Sequence, residues 1–236
     1  MENKDLVLVT SLHELDGVTA DPAPNVRYAG PAFTWPPAPR HWHLPSPAGD
    51  SRPLILASLS TMPGQTTPAL LQHVLDALAD LPARVLITTS TVPPGTLTPP
   101  PNAAVTAWLP HQAILPSTSL MITHGGHGSV TAALAHGVPL VCIPRPGADQ
   151  PIIATRVEAL GAGQTVSRQA PARELHDAAG HVLATRSYQQ IAGRLARIIG
   201  QHDGPATAAS ALQDLAARPP KARIRRSGSP ASAGHP

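Results

Sequence analysis

From Leu54 onward, short apolar runs recur along the chain, and stretches with helical spacing lie between them. The runs at 54–59 (LILASL), 84–89 (RVLITT), 103–108 (AAVTAW), 119–124 (SLMITH) and 139–144 (PLVCIP) have the length of buried strands, and 163–167 (GQTVS) is a shorter sixth. Helices are predicted over 68–81, with Pro68 in the first turn, over 129–136, stopped by Gly137, and over 149–160, stopped by Gly161. Three more follow near 171–183, 187–199 and 205–217. Strands that are apolar throughout, alternating with helices, predict a parallel sheet covered on both faces. Right-handed crossovers make this an α/β fold, a Rossmann-like doubly wound parallel sheet. Ligands of such sheets bind beyond the carboxyl ends of the strands. Three spots rich in polar and aromatic residues fall there: Ser60-Thr61, Trp108 to Gln112, and His124 to Ser129.

The first 53 residues lack this rhythm. Residues 6–10 (LVLVT) and 25–30 (NVRYAG) read as short extended runs, and 31–53 is too rich in proline for helix or central strand, so it reads as a linker. Apolar residues make up 42% of the 236 but aromatics only 3%, so the core must be built of Ala, Val, Leu and Ile. Cys142 is the single cysteine, which excludes an intrachain disulfide and fits a reducing compartment. No apolar run approaches the roughly 18 residues of a membrane span. The N-terminus lacks the shape of a signal peptide, so a cytoplasmic protein is expected. The formal charge of +3 raises nucleic acid as a partner. The basic residues are mostly scattered, however, and the cluster Lys221 to Arg226 has none of Phe33, Trp35, Trp42, Trp108, Tyr28 or Tyr188 interleaved with it. A solvated, disordered tail over 218–236 is the expectation, with no nucleic-acid partner.

The segment SLMITHGGHGSVTAALAHGVPLVCIP, residues 119–144, joins a predicted strand to a predicted helix through His-Gly-Gly-His-Gly-Ser. Two chemistries compete for it. A zinc site needs about four convergent ligands. His111, His124, His127 and His136 supply imidazoles, but no helix holds His124 and His127 on one face, and the segment has no glutamate. An anion cradle needs a helix N-terminus with its unpaired N–H groups, glycines that let the anion approach, and hydroxyl or imidazole donors such as Ser129 and His124. Neither Gly-x-Gly-x-x-Gly nor the P-loop pattern is present. By itself the segment also fits a tight turn with an ordinary serine cap.

The longer context is more specific. From Trp108 the chain reads WLPHQ and then, in order, THGGHGS, GVP and a proline followed by ADQ. Over about 54–217 it resembles the C-terminal donor-binding domain of nucleotide-sugar glycosyltransferases of the two-domain GT-B fold. The resemblance is to family 1 and macrolide-type bacterial enzymes that decorate small lipophilic natural products. It implies that Trp108 stacks on the nucleotide base, with Leu109, His111, Ser60 and Thr61 completing the nucleotide site. It assigns His124, Gly125, Gly126, His127, Gly128 and Ser129 to the diphosphate, and Asp149 and Gln150 to hydroxyls of the donor sugar, Asp149 also being placed to cap the next helix. Two departures stand out. Ala132 occupies the position where plant-type members carry a ribose-binding Glu, which leaves UDP against dTDP open, and one extra residue separates Pro144 from Asp149-Gln150. No Asp-x-Asp motif occurs, so the leaving diphosphate must be stabilised without metal or cofactor, by the helix N-terminus, Ser129 and His124.

The family mechanism is inverting, with a histidine base in the N-terminal acceptor domain. His13 follows the run LVLVT, but what comes after resembles the last strand and exit of that domain, so His13 reads as an exposed loop residue and no catalytic residue is expected here. Residues 1–30 are then a remnant of the acceptor-domain edge, 31–53 the interdomain linker, 54–217 the donor domain and 218–236 the tail. Three readings follow: a truncated transferase, a subunit of a split transferase whose acceptor half is a separate polypeptide, and a non-catalytic nucleotide-sugar-binding or regulatory module. The strand near 6–10 and the helix near 205–217 are expected to expose apolar surface to a missing partner.

Overall fold

The computed structural model describes residues 5–17, 21–32, 50–62, 64–147 and 149–218. Most of the predicted linker, with Phe33, Trp35 and Trp42, lies outside these residues, as does the tail from residue 219 with Lys221 to Arg226. Strands β1 (Val7–Val9) and β2 (Val26–Tyr28) pair in parallel as a small sheet of their own. The main sheet holds β3 (Leu54–Ser58), β4 (Arg84–Thr88), β5 (Ala103–Thr106), β6 (Leu120–Thr123), β7 (Leu140–Cys142) and β8 (Gly163–Thr165). Its order is β5-β4-β3-β6-β7-β8, every pair parallel. This is the doubly wound arrangement that the alternation predicted.

Successive side chains of a strand point to opposite faces, and here each face has its own core. Ile55, Ala57, Val85, Ile87, Leu120, Ile122 and Val141 enter one layer, closed by α2 (Pro68–Leu78) and α6 (Ala172–Ala184). Leu54, Leu56, Leu86, Met121, Leu140 and Cys142 enter the other, closed by α4 (His127–Ala135), α5 (Gln150–Ala159) and α7 (Arg186–Gly200). Each fully buried Leu or Ile contributes about 1.5–3 kcal/mol relative to exposure. That explains how a chain poor in aromatics closes a core. The helix starts follow local chemistry: Thr67 caps α2, its hydroxyl accepting the Leu70 N–H at 3.2 Å, and Pro68 takes the first turn. The helix stops at Leu78, three residues before the predicted end, and Pro82 bars it from running on.

The N-terminal segment departs from expectation. His13 is exposed, but it opens a short helix, α1 (His13–Asp16), and its ring meets Tyr28 edge-on at 5.1 Å. Residues of β1 are half-buried rather than bare, because β2 pairs with them. The last described helix, α8 (Gly204–Ala216), keeps exposed apolar surface as expected, with Leu212 53% exposed, but its first turn is covered. It starts against the backbone of residues 30 and 31, and Arg27 reaches to within 3.9 Å of Asp214. That exposed ion pair is worth little; the close approach matters more. A Cβ on Gly204 would lie 2.3 Å from the Pro31 carbonyl oxygen, and one on Gly30, where φ is +85°, 2.6 Å from His202 Cβ. Gly204→Ala should therefore prise α8 from the N-terminal segment and cost about 1–3 kcal/mol, read as a lower melting temperature with the main sheet's circular dichroism retained.

Candidate functional site

The strand order reverses between β3 and β6, so their carboxyl ends part and leave a crevice, the place where doubly wound sheets bind ligands. A pocket of about 420 Å³ opens there. Its walls come from the ends of four strands: Ser58 to Met62 after β3, Thr88 and Ser90 at β4, Ala107 to His111 after β5, and His124, Gly126, His127, Gly128 and Ser129 after β6. Of the sequence-selected residues, Ser60, Thr61, Trp108, Leu109, His111, His124, Gly126, His127, Gly128 and Ser129 thus share one cavity. Gly125, Asp149 and Gln150 are not in its lining.

Trp108 is 59% exposed although it follows a sheet strand, which rules out a core role for the indole. The backbone beneath it is pinned: Ser90 N–H donates to Ala107 O at 2.8 Å, and Ser90 itself sits at φ 56°, an uncommon conformation for a residue with a side chain. His111 begins α3 (His111–Ile114), after Pro110. Its Nε2 lies 2.9 Å from Ser58 Oγ, which in turn accepts from Thr88 Oγ1 at 2.8 Å.

Helix α4 starts at His127, two residues earlier than predicted, with Gly126 as its N-cap. Ser129 is accordingly a first-turn residue and not the cap. The first closed helical bond is Val130 N–H to Gly126 O, so the amides of His127, Gly128 and Ser129 precede the ladder, as at any helix start. The glycines differ in purpose. Gly125 has φ +80°, and a Cβ there would come within 3.1 Å of Gln150 O, so it admits the start of α5 behind the turn. A Cβ on Gly126 would fall 2.3 Å from His124 Nε2; the missing side chain makes room for the imidazole. Around Gly128 nothing lies within 4 Å, and there an anion can approach the backbone. His127 Nε2 is buried without a hydrogen-bond partner.

Asp149 stands at the N-cap position of α5 but adopts helical dihedrals, and its carboxylate makes no capping bond. Gln150 is 5% exposed and already engaged: Oε1 accepts the Arg145 N–H at 3.0 Å and Nε2 donates to Gln65 Oε1 at 3.2 Å. Arg168 donates to the Gln65 carbonyl, so Gln65, Gln150 and the loops after β3, β7 and β8 form one hydrogen-bonded belt beside the pocket. The sequence reading missed Ser58, Thr88, Ser90, Gln65 and Arg168. A signal existed for the first two, since apolar runs that turn to hydroxyl residues at their carboxyl ends mark ligand-facing positions in this fold class.

Burial pushes both His111 and His124 below the ordinary 6.5, while Asp149 draws His124 back up and Arg168 presses it further down. Both rings are neutral at pH 7, so His124 offers a hydrogen bond rather than a charge. A depressed folded-state value means that protonation disfavours the fold. This stabilisation is present above about pH 6.5 and is lost as pH falls through the depressed values. Ring-proton titration of His124 should give a midpoint below 6.5, and the melting temperature should fall on going from pH 7 to pH 5. A His124 midpoint at or above 6.5 would mean that Asp149 outweighs burial.

Comparison with known proteins places this geometry. Residues 21–209 match the model of the family described as UDP-glucoronosyl and UDP-glucosyl transferase. The chain is 30% identical over 220 residues to 4'-demethylrebeccamycin synthase of Lentzea aerocolonigenes, covering 91% of this chain and 51% of that protein. It is 31% identical over 191 residues to demethyllactenocin mycarosyltransferase of Streptomyces fradiae, covering 78% and 40%. Among solved structures, the calicheamicin glycosyltransferase CalG4 superposes with a TM-score of 0.76 at 26% identity, over 89% of this chain and 53% of that one. VinC in complex with DTDP shares the fold, with a TM-score of 0.60 at 24% identity over 69% and 41%. The chain spans about half the length of such relatives. With the motif pocket at the switch point and a family match over most of its length, this chain belongs to the UDP-glucoronosyl and UDP-glucosyl transferase family.

Proposed function

We propose that this chain is the donor-binding part of a GT-B glycosyltransferase that takes a UDP- or dTDP-sugar for inverting transfer to a hydroxyl of a small lipophilic natural product. The observation that carries the reading is the meeting of an exposed Trp108 and the first turn of α4 in one pocket of about 420 Å³. An indole of this exposure offers a stacking face for a base, worth about 1–3 kcal/mol. The unpaired amides at Gly128 and Ser129, with the Ser129 hydroxyl and the neutral His124, suit a diphosphate. In transfer, negative charge grows on the departing diphosphate, and these preorganised donors stabilise it without a metal. The base and the acceptor pocket belong, in this reading, to an acceptor domain outside this chain, in the same protein or on a separate polypeptide.

The domain reading follows the same lines. Residues 54–217 form the donor-binding unit around the main sheet, and residues 1–30, with their separate β1–β2 pair, are the edge of the acceptor side. Residues 31–53 link the two. Asp149 and Gln150 are read as the donor-sugar contacts; beyond its bonds to Gln65 and Arg145, Gln150 keeps one amide N–H and one Oε1 lone pair for a sugar hydroxyl.

Calorimetric titration of the purified chain with UDP and with dTDP, each with and without EDTA, tests this directly. Binding is expected to persist in EDTA. Ser129→Ala and His124→Ala should each weaken it about tenfold, as loss of a hydrogen bond to a charged group does. Trp108→Ala should remove about 1–3 kcal/mol of affinity for UDP and uridine alike, with pyrophosphate binding unchanged. Parent-like binding by both cradle variants would overturn the diphosphate assignment.

A further inference from the structure

The floor of the pocket contains a chain of three polar side chains, of which only His111 has so far been given a part, in the nucleotide site. Ser58 and Thr88 are register partners at the last residues of β3 and β4. Both are buried, at 5% and 8% exposure. The Thr88 hydroxyl donates to Ser58 Oγ at 2.8 Å, and Ser58 Oγ lies 2.9 Å from His111 Nε2. A serine hydroxyl has one hydrogen and two lone pairs. With one lone pair occupied by Thr88, its hydrogen needs an acceptor, because a buried unsatisfied donor costs about 1–3 kcal/mol. The partner in reach is His111 Nε2, which can accept only if its proton resides on Nδ1. Burial keeps the ring in the neutral form that this bond requires. Among the described residues Nδ1 has no protein hydrogen-bond partner, and His111 lines the pocket beside Trp108.

We propose that Thr88 and Ser58 are positioning residues for nucleotide recognition, holding His111 as the Nδ1–H tautomer so that it presents a hydrogen-bond donor to the nucleoside portion of a nucleotide bound beside Trp108. This rests on the donor-binding reading above. The device uses the sheet itself. Two strands in fixed register carry the hydroxyls, so the tautomer is set before any ligand arrives and costs no reordering on binding. The same relay accounts for the hydroxyl residues that end two strands with apolar interiors.

The tautomer can be read without ligand. Long-range proton–nitrogen NMR on the full chain near pH 7.5 should show His111 with a protonated Nδ1 and an unprotonated Nε2. Thr88→Val frees the second Ser58 lone pair and should move the ring to a mixture of tautomers, while Thr88→Ser should restore the parent pattern. Ser58→Ala should abolish the preference. UDP and uridine should each bind about three- to tenfold more weakly to Thr88→Val and Ser58→Ala, with pyrophosphate affinity unchanged. A parent ring protonated on Nε2, or a Thr88→Val ring identical to the parent, overturns the relay even if nucleotide binds well. Equal losses for UDP and pyrophosphate overturn the nucleoside assignment. An intact Nδ1–H tautomer in a chain that binds neither UDP nor dTDP overturns the donor-binding reading and leaves the relay standing as architecture.

Discussion

Strands β3, β6 and β7 run their whole length between two apolar layers, so their backbone groups are satisfied only by the ladder. Polar side chains fit such a sheet only at its ends. Among the described residues, that constraint places the polar lining of the pocket at one edge. Ser58 and Thr88 close β3 and β4, Thr123 and His124 close β6, and the glycine turn follows at once. Because the strand order reverses between β3 and β6, those ends also border an opening rather than a packed corner.

The glycine turn shows how one short motif meets several demands. Gly125 lets the start of α5 lie against the loop, Gly126 gives the His124 ring its place, and only Gly128 faces open space. Only one of the three glycines therefore leaves the space that an approaching anion would need. The ring of His124 is held over Gly126 and desolvated, which keeps it neutral and makes it a directional donor. Charge at the cradle therefore comes from the start of α4, not from an imidazolium.

The site divides into a preformed part and an engaged part. The pocket from Trp108 to Ser129 is open and needs no bond broken within it. Gln150 is instead bonded to Arg145 and Gln65, and Arg168 fastens the same loop. The small β1–β2 sheet and α8 belong to a third region. There Gly30 and Gly204 let the segment around residue 30 meet the start of α8, so part of the surface expected to lie bare is covered while Leu212 stays exposed.

Apolar runs such as LILASL and RVLITT, separated by helical spacing, determined by themselves the doubly wound sheet and the edge at which its pocket opens. The ordered motifs from Trp108 to Gln150 determined the family. Local sequence suffices for this because strand burial and turn chemistry are written within a few residues of one another. Tertiary structure alone decided that Ser58, Thr88 and His111 form one chain, since they come from three elements joined by strand register. It alone decided that Gln150 is spent on Gln65 and that α8 rests on residues 30 and 31. Such contacts cross tens of residues of sequence, and no local pattern of hydrophobic and polar positions records which side chains the fold will bring within hydrogen-bond reach.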